Sequence, residues 1–190
     1  MTVKPLKKGA TYHDLCEVPD HFVAEMFDGD LYAFPRPALP HANAASTLLS
    51  EIHRSFHRKG PGGWVILIEP ELHFGRDVLV PDLAGWRRTR LPSVPPDAYL
   101  TLAPDWVCEV LSKSTEAIDR GKKLRIYGRE GVVHAWLVDP LRRTLEVLAL
   151  ESGSLEQIEQ HHGDSPVRAR PFDAVELELR ALWSTESSTL

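Results

Sequence analysis

The chain has 190 residues, 43% hydrophobic and 26% charged, with a formal net charge of −5. That is enough apolar material for one domain with its own core, but no run approaches the roughly 18 apolar residues of a membrane helix, and the acidic balance argues against a sticky nucleic-acid binder. Two cysteines, Cys16 and Cys108, exclude a disulfide framework or a cysteine-rich zinc site, and MTVKPLKKGA has no apolar stretch behind its basic residues, so a cytoplasmic protein with reduced thiols is expected.

Residues 1–10 are expected to form a loose arm, and Thr11 to Val18 a short helix stopped by Pro19. Phe22–Phe27 and Asp30–Phe34 flank Asp28-Gly29, a dipeptide suited to the positive φ of a tight turn, and predict a hairpin. After prolines 35, 37 and 40, Ala44, Ala45, Leu48, Leu49, Ile52 and Phe56 recur at helical spacing. They predict a helix over His41–Arg58, ended by Gly60-Pro61-Gly62-Gly63. Strands are expected at Trp64–Ile68, at Glu71–Phe74 and within Val78–Trp86, followed by a proline-bearing loop, Arg87–Pro104. Asp105–Leu111 predicts a buried strand and Thr115–Arg129 a helix, with Ser114 as its N-cap and Gly131 as its stop. Val132–Val138, Thr144–Leu150 and Leu155–His161 predict further strands, and Ala174–Trp183 is amphipathic without a clear period. The expected fold is α/β, a mixed α+β sheet flanked by helices, in one domain over 11–183 with flexible termini at 1–10 and 184–190.

Two acids in this order, Asp82 and Glu109, are out of place. Glu109 lies inside Trp106-Val107-Cys108-Glu109-Val110-Leu111, and a buried carboxylate is costly unless something pairs with it. Asp82 opens the preceding apolar strand. If the two strands pair, the carboxylates converge, and they repel unless a proton or cation lies between them. Mg²⁺, or Mn²⁺ in its place, suits such a site, because a hard ion takes one or two carboxylates and completes its shell with water and phosphate. A lysine beside the ion can orient the attacking water. Asp119, Lys123 and Tyr127 are four residues apart and share one helical stripe, so Lys123 can point back towards Glu109. Residues 113–129 carry six bases against two acids, and Lys113, Arg120 and Lys122 among them are candidate phosphate contacts.

The stretches VPDLAGW, CEVLSKST and DRGKKLRIYGREGVVHAWLVDP resemble the bacterial putative restriction endonuclease family of the PD-(D/E)XK nuclease superfamily. That family's helix spacing, D-x₃-K-x₃-Y-x₃-GV, is matched by Asp119, Lys123, Tyr127, Gly131 and Val132, and its W-L-V-D-P strand by Trp136 to Pro140. Glu25 before Asp28-Gly29, and His41 after a proline-rich break, are similar too. The resemblance implies a restriction endonuclease-like core with an N-terminal hairpin and helix. It implies an endonuclease hydrolysing DNA phosphodiester bonds with Mg²⁺ or Mn²⁺, and Asp82 and Glu109 as metal ligands. It further implies that the Val110 carbonyl coordinates, that Lys123 is catalytic, and that Glu25, His41, Glu69 and Tyr127 are candidates for the same cleft. Leu111 departs from the superfamily pattern, which has lysine two positions after the glutamate, and Lys123 takes that role from the next helix.

Other readings stand beside these. Asp82 suits a turn cap after Pro81; Glu109 suits a pairing with Arg125; Asp119 and Lys123 suit a surface i,i+4 pair. Glu69 and Glu71 around Pro70 suit solvated strand ends, and His53 with His57 suits a solvated helix face. Cys108 alternates with Glu109 and is expected to pack as a thiol on the opposite face of the strand. The alternative function is a catalytically inactive nuclease-fold module that binds DNA or mediates assembly, and a homodimer fits either function.

Overall fold

The computed structural model describes residues 3–58 and 63–183. The glycine-rich stop expected at residues 60–62 and the tail 184–190 lie outside them. Helix α1 (Tyr12–Cys16) begins at Thr11, which closes a reciprocal capping box with Asp14. Strands β1 (Phe22–Phe27) and β2 (Asp30–Pro35) form the expected hairpin. Asp28 and Gly29 have φ of 58° and 80°, the two left-handed residues that a tight hairpin turn requires. Leu6, in the segment expected as a loose arm, donates its N–H to Leu31 O at 2.7 Å, and Lys7 bridges the same residue. Helix α2 (Leu39–Ile52) starts two residues earlier than expected, because Pro40 is tolerated in a first turn, and continues as a π-helical stretch, His53–Arg58.

Next come β3 (Trp64–Ile68), β4 (Leu72–Phe74), β5 (Asp77–Leu79) and β6 (Leu83–Arg87). The single strand expected within Val78–Trp86 is therefore two strands in two sheets. Pro81 has no N–H for a ladder, and the chain leaves one sheet and enters the other across Val80-Pro81-Asp82. Strand β7 (Trp106–Val110) is buried at every position, as a central strand covered on both faces must be. The expected helix over 115–129 has three parts: α3 (Glu116–Ile118), a π-helical stretch (Asp119–Lys123) and α4 (Leu124–Arg129). Thr115, not Ser114, occupies the N-cap position, and the Ser112 hydroxyl accepts from the Thr115 N–H. Strands β8 (His134–Asp139), β9 (Thr144–Glu151), β10 (Ser154–His162), β11 (Pro166–Val167) and β12 (Leu177–Glu178) follow, then α5 (Leu179–Trp183). The ambiguous Ala174–Trp183 segment thus resolves into a short strand and a helix.

The main sheet has the order β10-β9-β8-β7-β6-β3 and is antiparallel except for the central parallel pair β7–β8, which the α3–α4 crossover joins. A second sheet, β2-β1-β5-β4, covers part of it. The alternation of β7 divides the core. Trp106, Cys108 and Val110 pack with Ala44, Leu48 and Ile52 of α2 and with Leu179 and Leu182 of α5. Val107 packs on the other side with Phe27, Ile126, Tyr127 and Leu137, under the small sheet and α4. Cys108 therefore faces α2, and Glu109 faces the crossover helix. Four fully buried tryptophans, at 64, 86, 106 and 136, fix the sheet between these layers.

Candidate active site

The pairing of β6 with β7 decides where the two out-of-place acids meet. Leu83 stands opposite Cys108 and Ala84 opposite Val107. Continued one residue beyond β6, this antiparallel register sets Asp82 across from Glu109, on the same side of the sheet. Asp82 precedes β6 rather than opening it, and its Oδ2 accepts from the Val110 N–H at 2.7 Å. His41, in the first turn of α2, brings Nε2 to 3.2 Å from the other oxygen, Oδ1.

Glu109 is 2% exposed, and both of its oxygens are partnered. The Tyr127 O–H donates to Oε1 at 2.6 Å, and Lys123 Nζ lies 3.2 Å from Oε2. Lys123 does not form a surface pair with Asp119. It is 4% exposed, and its ammonium sits among Glu25 Oε1 at 3.0 Å, Glu109 Oε2 at 3.2 Å and Asp119 Oδ1 at 3.5 Å. Glu25 comes from β1 and is held by the Val80 N–H at 2.8 Å. The π-helical stretch carries both Asp119 and Lys123. Wide turns of this kind recur at functional sites.

These groups face one cleft of about 710 Å³, whose walls include Glu25, His41, Asp82, Glu109, Val110 and Lys123. Burial, the largest influence, pushes Glu25, Glu109 and Asp119 above the usual carboxyl range, and neighbouring carboxylates push the same way. Burial alone would lower Lys123, but Glu109, Glu25 and Asp119 around it raise it well above the usual lysine value. Burial lowers His41, but the bond to Asp82 together with the charges of Asp82, Asp119 and Glu69 raises it overall. Burial and the Glu109 charge keep Tyr127 protonated as a donor. One ammonium serves three buried carboxyls, with Asp82 beside them. The site is a pocket built of oxygen donors.

The other expected site residues divide. Glu69 lines the cleft, exposed at the strand end with φ of 45°, and its N–H donates to the Asp82 carbonyl at 3.0 Å. Lys113, Arg120 and Lys122 do not line it. Arg120 makes a bidentate pair with Glu146 at 2.7 and 2.6 Å, and Lys122 lies 3.4 Å from Asp28. Arg125, a suggested partner of Glu109, binds Asp28 instead, at 2.7 Å. Most of the local excess of bases is thus matched by acids from distant elements, and it does not form a free basic face. His53 and His57 stack with centroids 4.0 Å apart, and His57 Nδ1 accepts from the Ile66 N–H at 3.1 Å, which ties the π-helical end of α2 to β3. Asp119 was legible as part of the Lys123 stripe but was not placed in the site. Tyr12, also in the cleft wall, carried no sequence signal, and Glu71, expected as a solvated strand end, lines the cleft too.

A mixed sheet flanked by helices, with a buried glutamate on its central strand facing a helix-borne lysine, is a restriction endonuclease-like fold. The crystal structure of a putative nuclease belonging to DUF820 from Anabaena variabilis has this fold, with a TM-score of 0.72 and 22% sequence identity over 92% of this chain and 97% of that one. Residues 10–180 match the family model Uma2, described as putative restriction endonuclease, and the chain belongs to that family. No curated protein matches it.

Proposed function

We propose that the chain is a metal-dependent endonuclease that hydrolyses DNA phosphodiester bonds. The observation that carries this reading is the buried Lys123 ammonium, 3.2 Å from Glu109 in the cleft that Asp82 also lines. The residues fit a hard divalent cation by donor chemistry and by charge. Among the described residues no group of three acid, histidine or cysteine side chains is disposed to hold a metal ion, but magnesium binds through one or two carboxylates and keeps water in its other positions. Asp82 and Glu109 would hold the ion, with the Val110 carbonyl beside them. When bound, it would supply an acidified water and offset charge on the phosphoryl oxygens.

The chain's own groups prepare that site. His41 and the Val110 N–H orient Asp82, and Tyr127 fixes Glu109 through its second oxygen. Lys123, kept cationic by Glu25 and Asp119, would orient the attacking water and oppose charge developing on phosphate. A homodimer and a cytoplasmic location belong to the same proposal. Among the described residues no helix is long and apolar enough to cross a membrane.

Leu111 supports a second reading, the inactive module. It is 3% exposed and part of the core, so β7 itself offers no lysine to the cleft. Plasmid nicking in Mg²⁺ or Mn²⁺ decides between them, with wild type beside Asp82→Ala and Glu109→Ala. A loss of at least about 100-fold in both variants is expected; equal nicking by all three proteins would end the assignment. Calorimetric titration with metal that showed no affinity, together with salt-sensitive DNA binding, would favour the module.

A further inference from the structure

The chain has six phenylalanines and four tyrosines. Seven of these ten are buried, and the three exposed ones are Phe22 at 37%, Tyr12 at 40% and Tyr99 at 41%. Tyr12 links the other two, sharing a cleft with Phe22 and a ring contact with Tyr99. Tyr12 and Phe22 line the cleft that holds Lys123. Tyr99 stacks on His73, with centroids 3.9 Å apart at 13°, and His73 meets Tyr12 edge-on at 4.7 Å. Tyr12 and Tyr99 are themselves 6.3 Å apart. Tyr12 and Tyr99 are held in place: Glu71 Oε1 accepts from the Tyr12 O–H at 2.8 Å and lies 2.6 Å from Nε2 of His73, the ring on which Tyr99 stacks. Exposed rings gathered at the mouth of a cleft are not explained by packing, and rings already held in place lose little freedom when a ligand covers them.

The charge of the same cleft limits what that ligand gains there. Its walls carry seven carboxyl side chains, from Asp20 to Asp119, against three basic ones, Arg36, Lys123 and His41, the last held by Asp82. Arg36 is engaged with the Asp20 carbonyl at 2.8 Å, and Lys123 with its three acids. A duplex gains most of its affinity from lysines and arginines along the phosphates, and this cleft provides no such track. The basic helix beside it does not supply one either, since Arg120, Lys122 and Arg125 pair with Glu146 and Asp28. The volume, about 710 Å³, is that of a small-ligand pocket rather than of a groove that admits a double helix. Bases, unlike phosphates, are recognised by ring faces without any positive charge.

We infer that the Tyr12–Phe22–Tyr99 rim is a stacking platform for unpaired bases, so that the strand entering the cleft is single-stranded nucleic acid: a single strand, a frayed end or a flap. This rests on the nuclease reading for the chemistry at Lys123, but concerns a different set of residues. The rim adds base contacts where the floor of the cleft handles one phosphate.

The test is fluorescence anisotropy of a labelled 12-mer with the full chain in Ca²⁺, with three probes: single-stranded DNA, the same strand as a blunt duplex, and single-stranded RNA. The single strand is expected to bind tighter than the duplex. Phe22→Ala and Tyr99→Ala should each weaken it by at least about 5-fold, the size of one lost base stack, with unchanged melting temperature. Tyr12→Phe should retain binding that Tyr12→Ala loses, because a ring face and not the hydroxyl is used. RNA binding equal to that of DNA supports the platform, since ring faces do not read the sugar. Duplex binding as tight as single-strand binding, alanine variants that bind like wild type, or no binding of any probe would overturn it. A parallel cleavage assay in Mg²⁺ separates the two proposals. Ring-dependent binding without cleavage leaves the platform standing and the nuclease reading fallen; duplex nicking indifferent to the three rings does the reverse.

Discussion

Replacing Lys123 by methionine removes one charge and keeps most of the side-chain volume, so it isolates what the ammonium does. In the folded chain Lys123 has three carboxylate neighbours within 3.5 Å, and the side chains of all four groups are at most 5% exposed. Removing one partner of a buried ion pair strands the other and costs about 3–5 kcal/mol. Here the stranded groups can also relieve themselves by taking up protons. Glu25, Glu109 and Asp119 already stand above their ordinary values, burial being the largest cause, and loss of the lysine pushes them further. A carboxyl whose folded value exceeds its unfolded one contributes stability that is present at low pH and is lost as pH rises through the folded value. Lys123→Met should therefore unfold in urea at near wild-type concentrations around pH 5 and lose about 3–5 kcal/mol by pH 8. Adding Glu25→Gln should restore part of that loss at pH 8, because one unpaired carboxylate is gone. A methionine variant as stable as wild type at both pH values would refute the view that this ammonium is the countercharge of the buried acids.

Tyr127→Phe leaves Glu109 Oε1 without its 2.6 Å donor in a site closed to solvent, and should cost about 1–3 kcal/mol by thermal or urea unfolding. A change below about 0.5 kcal/mol would mean that another donor replaces the phenol. Leu111→Lys, which restores the strand lysine of the superfamily pattern, should destabilise by at least about 2 kcal/mol and raise no activity, since position 111 belongs to the core and Lys123 already serves Glu109; nicking above wild type would contradict this. Gly128→Ala brings a Cβ within 3.1 Å of the Gly153 carbonyl, and should lower stability by about 1–3 kcal/mol as the β9–β10 turn is forced off the helix; an unchanged melting temperature would count against that packing. Cys108 is buried with its thiol pushed well up by burial, while Cys16 is exposed. A thiol reagent should therefore modify one cysteine in the native protein and two only after unfolding; rapid native labelling of both would place Cys108 elsewhere.

What the sequence revealed of the site follows the range of the forces involved. Glu109 was visible because it is a lone carboxylate inside a continuous apolar run, and the Asp119–Lys123–Tyr127 stripe because four-residue spacing repeats along a helix. Asp82 was visible as an acid, but the change of sheet at Pro81 that places it was not, since β5 and β6 find their partners far away in sequence. The burial of Glu25 depends on which face of the hairpin meets the helix, and alternation within β1 is silent on that. The six bases of residues 113–129 suggested a phosphate-binding face for the same reason: the acids that neutralise them, Asp28, Asp77 and Glu146, lie on other elements and come together only in the fold. The rim of Tyr12, Phe22 and Tyr99 draws on three separate segments and had no local signature.

The displaced lysine is consistent with the rest of the architecture. A lysine two residues after the glutamate on β7 would share its face and would have to thread the core packed against that side of the strand. Position 111 is instead an apolar contact in that core, beside the side chains under the small sheet. The ammonium arrives from across the layer, on the crossover helix, where the π-helical turn carries Lys123 and Asp119 to the same carboxylates. The charge meets Glu109 from the helix side, so the central strand remains fully buried and the sheet loses no packing. The cost is transferred to the helix, which must keep a lysine and an aspartate under cover, and Glu25 and Tyr127 complete that cover from β1 and α4. Hence substitutions at Glu25 and Tyr127 should alter the pH dependence of stability on the same carboxyls as Lys123, whereas substitutions on the exposed Arg125–Asp28 pair should act only on Asp28, which Arg125 holds below its ordinary value.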